Sequence, residues 1–184
     1  MMNMRTALAS AVVAVGGLLA LTPAAGATSA TATLTAGSLG FVSAPGSVTF
    51  SGTLSGSNQT LTAAQPFDVG DATGAGAGWN VTATSTTFTA GSHTLSTGAS
   101  TVGSAPTIAC DASVTCTSAT NAITYPYSLP AAATAPTATK LFNAAVNTGL
   151  GNQTVTPTWS VAVPANAFAG SYTSTWTFSL VSAP

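Results

Sequence analysis

Large apolar side chains and hydroxyl side chains alternate over several stretches of this chain. The clearest stretch is YTSTWTFSL, residues 172–180, where one side carries Tyr172, Trp176, Phe178 and Leu180 and the other carries only Thr and Ser. An alternation with a period of two residues is typical of a β-strand with one buried face. Because each large aromatic side chain on that face would bury about 150 to 250 Å², we expect this strand to be central to the core.

Two weaker alternations come earlier in the chain. Residues 28–42 predict one or two short strands, with Leu34 and Leu39 as apolar anchors. After a turn signal, residues 47–54 alternate in the same way, with Phe50 on the apolar face. They predict a further strand.

A glycine-rich loop lies between two more predicted strands in residues 67–84, FDVGDATGAGAGWNVTAT. Trp79 and Val81 share one face of the second strand. The loop resembles a phosphate-binding loop only in its glycine spacing, because no lysine follows it and no helix is predicted there. We expect Asp71 to accept hydrogen bonds from the loop backbone in an Asx-turn, rather than to join Asp68 in acid–base catalysis or calcium binding.

Three stretches in the C-terminal half are less regular. Residues 123–129 predict a strand that Pro126 interrupts. Residues 140–147 fit either a helical turn or a strand, and we prefer the strand. Residues 155–163 predict the penultimate strand, with Pro157 at an edge position or a bulge.

The last two predicted strands are expected to pair with each other. Residues 164–171 are a natural connection between them, and side chains that face the same way oppose each other in an antiparallel pair. Trp159 and Trp176 should then be direct or diagonal neighbours on the buried face.

The composition narrows both the fold and the partners. Charged residues make up 3% of the chain, whereas about 25% is usual, and beyond residue 27 one Lys and three Asp leave a net charge of −2. Nucleic acids and anionic membrane surfaces both call for Lys and Arg, so neither is expected as a partner. Glu is absent and helix formers other than Ala are scarce. We predict an all-β fold, a single-domain antiparallel β-sandwich of the immunoglobulin-like or Greek-key type.

Residues 1–27 have the features of a secretory signal peptide. Arg5 precedes an apolar run, residues 7–21, and the small residues Ala25-Gly26-Ala27 predict cleavage after Ala27. The run is shorter than the roughly 20 residues that a membrane-spanning helix needs. We therefore expect an exported protein whose mature domain is residues 28–184 and which has no membrane partner. The C-terminus shows no LPxTG-type sorting sequence, so we expect the mature protein to be held to a surface non-covalently or to be released.

The few residues with reactive side chains favour structural roles. Cys110 and Cys116 are the only cysteines, and so close a pair in an exported protein is expected to form a disulfide. Closing that loop is worth about 2 to 2.5 kcal/mol by chain entropy. His93 is the only histidine, and a metal site or a Ser-His-Asp triad would require partners that the chain scarcely supplies. We predict no catalytic residue, no metal site and no cofactor.

Two short segments carry a resemblance to a known family. They are Gly78-Trp79-Asn80-Val81-Thr82 and Tyr172-x-x-x-Trp176-x-Phe178. Together they resemble the two signature motifs of the WxL surface domain of Gram-positive bacteria, with Val81 and Phe178 in place of the family's leucines. The flanking residues 71–78 and 169–171 also look similar, and the resemblance extends over essentially all of residues 28–184.

The resemblance implies a non-enzymatic protein, secreted to the cell wall, that attaches to peptidoglycan and can assemble with other surface proteins. It implies a set of binding residues, namely Trp79, Val81, Tyr172, Trp176 and Phe178. The strand faces that hold Trp79, Trp176 and Tyr172 are predicted to be buried, and we expect core roles for most of these residues rather than direct contact with a ligand.

A rival hypothesis is an assembly subunit, because AGSYTSTWTFSL, residues 169–180, also resembles the closing strand of immunoglobulin-like pilins and coat proteins. A donor-strand subunit lacks a strand and leaves a groove, whereas this chain is predicted to supply its own closing strand.

Overall fold

The computed structural model describes residues 26–183. Residues 26–34 are exposed and contain no strand, and a separate compact unit begins at Thr35. Residues 1–25 of the predicted signal peptide lie outside the described residues. Between Gly26 and Ala183 no helix is long and apolar enough to cross a membrane.

The described part of the chain contains fourteen β-strands and no helix. The strands are β1 (Leu39–Ser43), β2 (Gln59–Ala64), β3 (Phe67–Asp71), β4 (Trp79–Thr86), β5 (Thr89–Ala90), β6 (His93–Thr94), β7 (Ser100–Val102), β8 (Thr107–Cys110), β9 (Tyr127–Ser128), β10 (Ala131–Ala132), β11 (Thr139–Ala144), β12 (Gly151–Thr156), β13 (Thr158–Val163) and β14 (Trp176–Ser182). All pairings are antiparallel except that of β10 with β4. The predicted all-β, antiparallel architecture is confirmed.

Three sheets enclose the core. Sheet A has the order β1-β3-β12-β8 and sheet B the order β2-β13-β7-β9. In sheet C the central strand β4 pairs with β14 along one edge, and β11 and β10 follow each other along the opposite edge. Side chains from all three sheets meet in one buried cluster, for example Phe67 from sheet A, Trp159 from sheet B and Trp79 from sheet C. Sheet C therefore faces sheets A and B in a β-sandwich.

A two-stranded ribbon runs from sheet A into sheet B. Strand β3 pairs with β12 in sheet A, and β2 pairs with β13 in sheet B. The change of sheet occurs at Pro157, which is fully buried and whose carbonyl oxygen accepts a hydrogen bond from the Gln65 N–H at 3.0 Å. The single penultimate strand predicted over residues 155–163 is therefore wrong. Proline has no N–H to donate, so the strand breaks there and its halves join different sheets.

The predicted hairpin between the last two strands is also wrong. Strand β14 pairs with β4, from Trp176 opposite Ser85 to Ser182 opposite Trp79. The physical reason is that both edges of β13 are already occupied, one by β2 and the other by β7. The strand also begins at Trp176, later than the predicted start at Tyr172, and the preceding residues contribute one isolated bridge to Thr89.

Two early predictions need correction. Residues 47–54 form no strand, because within the described chain their backbone has no hydrogen-bonded neighbouring strand. Only Val48 and Phe50 are partly buried here, and Leu54 is exposed. Leu34 is 94% exposed and anchors nothing, whereas Leu39 begins β1 and packs against the core.

The predictions for the later strands have mixed outcomes. The strand preferred over residues 140–147 is confirmed as β11. The strand predicted over residues 123–129 is reduced to the two residues of β9, after a cis bond at Pro126. The disulfide between Cys110 and Cys116 is confirmed, with 5.6 Å between the two Cα atoms.

Candidate binding grooves

Trp79 and Val81, two of the five residues predicted to bind, lie in the core. Both have 0% exposure. The Trp79 ring lies 5.9 Å from that of Phe142, and its indole N–H donates to the Gly149 carbonyl oxygen at 3.0 Å. The indole is thus held both by apolar packing of its ring and by a buried hydrogen bond from its N–H.

The backbone around Trp79 is fitted to the indole. At Gly149, where φ is +79°, a Cβ atom would lie 2.5 Å from the indole nitrogen of Trp79. At Gly78, where φ is +75°, a Cβ atom would lie 2.5 Å from the carbonyl oxygen of Ala144. Both positions require glycine, because of the left-handed conformation and because of the close approach. The Gly-Trp pair at the start of β4 is therefore a packing motif.

The two tryptophan-containing segments lie side by side. In the register of β4 and β14, Val81 is opposite Leu180 and Ala83 is opposite Phe178. Segments that are far apart in the sequence therefore form one two-stranded unit within sheet C. The side chains of Trp176, Phe178 and Leu180 are half-buried, and the residues between them are exposed, as the alternation predicts.

Trp176 belongs to a cluster of four rings that lies where sheet B meets the end of sheet C. Its ring centroid is 4.7 Å from that of Trp159 and 6.2 Å from those of Phe50 and Phe88, and all three neighbours are inclined to it at 45° or more. We call these four residues the aromatic cluster. Edge-to-face and tilted contacts of this kind are the favourable arrangements for aromatic rings.

The buried end of the aromatic cluster is fixed by Gln65. The indole N–H of Trp159 donates to Gln65 Oε1 at 2.8 Å, and Gln65 Nε2 donates to the Gly46 carbonyl oxygen at 2.6 Å. One side chain thus connects the cluster to the segment that follows β1. In residues 26–183, no buried side-chain nitrogen or oxygen is left without a hydrogen-bond partner.

The first groove is an open cavity of about 880 Å³ beside this cluster. One wall is residues 48–54, the opposite wall is residues 167–172, and sheet B supplies Leu61, Val161 and Val163. Phe50, Phe88, Leu95 and Tyr172 complete the apolar part of the lining.

Phe168 stands at the edge of the first groove and is 61% exposed. Its ring stacks on the His93 imidazole with 3.9 Å between centroids and an angle of 14° between the planes. The Tyr172 hydroxyl donates to the Phe168 carbonyl oxygen at 3.1 Å. This loop therefore presents a supported, flat aromatic surface to solvent.

The second groove, of about 450 Å³, contains the other predicted binding residues. Tyr172, Trp176 and Phe178 line it together with Gln65 and residues 45–48. Tyr172 and Phe88 line both grooves. The structure thus brings three of the five predicted binding residues to one accessible region and leaves Trp79 and Val81 in the core.

Both grooves are lined by neutral side chains. Neither Lys140 nor any of the aspartates, Asp68, Asp71 and Asp111, belongs to either lining. Asp71 instead forms the predicted Asx-turn, in which its Oδ1 accepts from the Thr73 N–H at 3.0 Å. No cluster of His, Cys, Asp or Glu suited to a metal ion occurs among residues 26–183. The grooves offer apolar surface and hydroxyl groups, which suit binding.

The phenol groups with displaced pKa values also lie away from the grooves. Burial raises the pKa of Tyr127, against a smaller lowering by its hydrogen bond to Thr139. Burial likewise raises the pKa of Tyr125, while its hydrogen bond with Asn121 lowers it. The Tyr125 hydroxyl donates to the Leu141 carbonyl oxygen at 2.7 Å. Both tyrosines therefore contribute to packing and hydrogen bonding beside β11.

Phe88 and Phe168 were not identified from the sequence as groove residues. Phe88 lies just after the alternation of β4 ends, and Phe168 lies in a connection of small residues with no period. A large aromatic residue inside the loop PANAFAGS is the one signal that the sequence offered for Phe168. No family model, curated protein or solved structure matches this chain. The grooves themselves are therefore the basis for a functional proposal.

Proposed function

We propose that this protein is a non-enzymatic surface protein of the WxL type, exported and attached non-covalently to peptidoglycan. The observation that carries the proposal is the pairing of β4 with β14. The two segments that resemble the family's motifs form one structural unit, with Trp79 securing its interior and Trp176 facing an accessible groove. Motifs that act together are expected to be neighbours in space.

The neutral surface supports the same proposal. A protein with one Lys and three Asp beyond residue 27 has few charges to be screened by salt. Attachment would therefore depend on apolar contact and on hydrogen bonds from the hydroxyl-rich lining. Such attachment is nearly insensitive to ionic strength, unlike the binding of a basic protein to an anionic polymer.

The rival hypothesis of a donor-strand assembly subunit receives less support. Such a subunit leaves a sheet short of one strand until a neighbour supplies it. Here β14 pairs with β4 along its whole length, from Trp176 to Ser182. The closing strand is already in place. The partners we propose are thus the wall and, through the wall, other surface proteins.

The test is co-sedimentation of purified residues 28–184 with isolated Gram-positive peptidoglycan at low and high salt. We expect the protein in the pellet under both conditions, and in the supernatant when peptidoglycan is omitted. A folded protein that stays in the supernatant with every Gram-positive wall preparation contradicts the proposal. Regular polymers in gel filtration without wall material would favour the assembly subunit instead.

A further inference from the structure

We propose that the first groove binds the neutral glycan strand of the wall, with Phe168 as the surface on which a sugar ring stacks. This inference rests on the proposed function, because it names the ligand and the place of attachment. The glycan strand is a chain of N-acetylated hexose units, with apolar C–H faces and hydroxyl and acetamido groups at its edges.

The size and lining of the first groove suit such a ligand. Its volume of about 880 Å³ lies within the range of roughly 300 to 1,000 Å³ typical of small-molecule sites. The cavity is partly open to solvent, so a ligand can reach it from the surface. Its lining combines apolar residues with the hydroxyl-bearing residues Thr49, Ser51, Thr53 and Ser171.

The absence of charged side chains from the groove lining favours one class of wall polymer over the others. A phosphate-containing polymer is held by Arg or Lys through charge-assisted hydrogen bonds, and the groove lining contains neither. A peptide rich in carboxylates or ammonium groups would lose solvation without gaining a partner. A neutral sugar chain loses no charge solvation, so the lining selects for it.

The backbone of residues 48–54 adds hydrogen-bonding capacity. Within the described part of the chain, these residues form no backbone hydrogen bond to a strand. One of their carbonyl groups, that of Thr53, accepts from Gln59 Nε2 at 2.8 Å. Backbone N–H and C=O groups of this segment that have no partner within the protein could pair with acetamido and hydroxyl groups of a ligand.

The ring of Phe168 is largely exposed to solvent, yet neighbouring side chains support it. A single exposed apolar residue is normal, but this one is backed by the His93 ring and its loop is held by Tyr172. Phe168 is also one of the residues that line the groove. A sugar ring laid on the exposed face of its ring would cover it and would continue into the groove.

The test uses a soluble oligomer of β-1,4-linked N-acetylglucosamine as the probe, in isothermal titration calorimetry with residues 28–184. We expect the wild type to bind it in the millimolar range or tighter, and Phe168→Ala to weaken binding on the order of tenfold, equivalent to roughly 1.4 kcal/mol. The matched control is Val146→Ala. Val146 is also exposed, at 57%, and lines neither groove. Near-ultraviolet circular dichroism checks that each variant is folded.

The outcomes separate this inference from the proposed function. A wild type that sediments with peptidoglycan but does not bind the oligomer overturns the glycan assignment and leaves wall attachment intact. Equal binding by the wild type and folded Phe168→Ala would show that the oligomer does not stack on Phe168. Dimers that disappear in Phe168→Ala would assign the groove to a second copy of the chain. Oligomer binding that depends on Phe168 supports the inference; if intact walls are nevertheless not bound, the groove remains a site for an N-acetylhexosamine chain and the proposed attachment to the wall is overturned.

Discussion

The indole rings of Trp159 and Trp176 meet edge to face, with 4.7 Å between their centroids, although their strands belong to different sheets. The contact joins the two layers of the sandwich rather than neighbouring strands. Trp159 is fully buried and Trp176 is half-buried beside the second groove. The pair therefore connects the core to the accessible surface, and the two residues respond differently to substitution.

Trp159→Ala is expected to destabilise the protein by about 3 to 5 kcal/mol, the usual cost of truncating a buried tryptophan. The change also leaves Gln65 Oε1 without its donor, a cost of about 1 to 3 kcal/mol if water cannot replace it. Urea denaturation measures the free energy of unfolding. Trp159→Phe is the control, since it keeps a six-membered aromatic ring and loses the five-membered ring with its N–H. Equal loss in the two variants would contradict the importance of the ring itself.

Gly149→Ala is expected to be destabilising because a Cβ atom would lie 2.5 Å from the Trp79 indole. Gly91 is a matched control, since it also has a positive φ, +59°, but has open space where a Cβ would lie. Both substitutions share the left-handed strain of about 1 to 2 kcal/mol. Gly149→Ala should cost about 1 to 3 kcal/mol more by overpacking. Thermal unfolding of the two variants in parallel makes the comparison, and equal losses would show that Trp79 can shift freely.

The disulfide should be present and should stabilise the protein modestly. Cys110 and Cys116 are six positions apart, and chain entropy for so short a loop gives about 2 to 2.5 kcal/mol. We expect no free thiol in the purified protein without reductant, and lower stability after reduction. A variant with both cysteines replaced by serine should be insensitive to reductant. Two thiols titrated in the folded, unreduced protein would be inconsistent with the bridge.

Alternation in the sequence predicted strands where a sheet buries one face, and this covers much of the fold. Strands β3, β4 and β14 overlap the stretches in which alternation predicted strands. Strand β11 overlaps residues 140–147, for which we preferred a strand over a helical turn. The same pattern over residues 47–54 marks partial burial without pairing. A period of two residues describes which side chains are buried. A strand also requires that its backbone can hydrogen-bond to the free edge of a neighbouring strand.

Partner choice is the part that the sequence did not specify. Nothing near Trp176 indicates that β14 pairs with β4 rather than with β13, because pairing depends on which edges the earlier strands occupy. The rings of Trp159 and Trp176 are in contact, but across the two layers and not as the cross-strand neighbours that the predicted hairpin required. The first groove was missed because one of its walls, residues 48–54, was predicted to be a paired strand, and the other, residues 167–172, includes a loop of small residues without periodicity.

Stability should fall in alkaline solution because of Tyr127. Burial raises the pKa of its phenol above the ordinary value of 10.0. The unfolded chain therefore loses this proton at lower pH than the folded protein, so stability is intact below about pH 10 and is lost as the pH rises through the folded value. Urea denaturation over a pH series measures this. Tyr127→Phe removes the titrating group and should flatten the decline, and an unchanged slope would exclude Tyr127 as its source.

Trp176 tests which of the two grooves holds the ligand. Its ring lines the second groove but not the first, and it also packs on Trp159. Trp176→Phe keeps an aromatic ring at this position and should cost less stability than Trp159→Ala, because Trp176 is only half-buried. If the glycan lies in the first groove, folded Trp176→Phe should sediment with peptidoglycan as the wild type does.

Thr177→Ala is the matched control for this comparison, because Thr177 is the next residue of β14 and faces outward. A surface change of this kind is expected to alter stability by no more than about 0.5 kcal/mol. Folding of each variant is checked by near-ultraviolet circular dichroism before sedimentation. If folded Trp176→Phe no longer sediments with peptidoglycan while Thr177→Ala and Phe168→Ala still do, the ligand binds in the second groove. Trp176 would then be a binding residue as the sequence predicted, and Phe168 would be an exposed residue without a role in attachment.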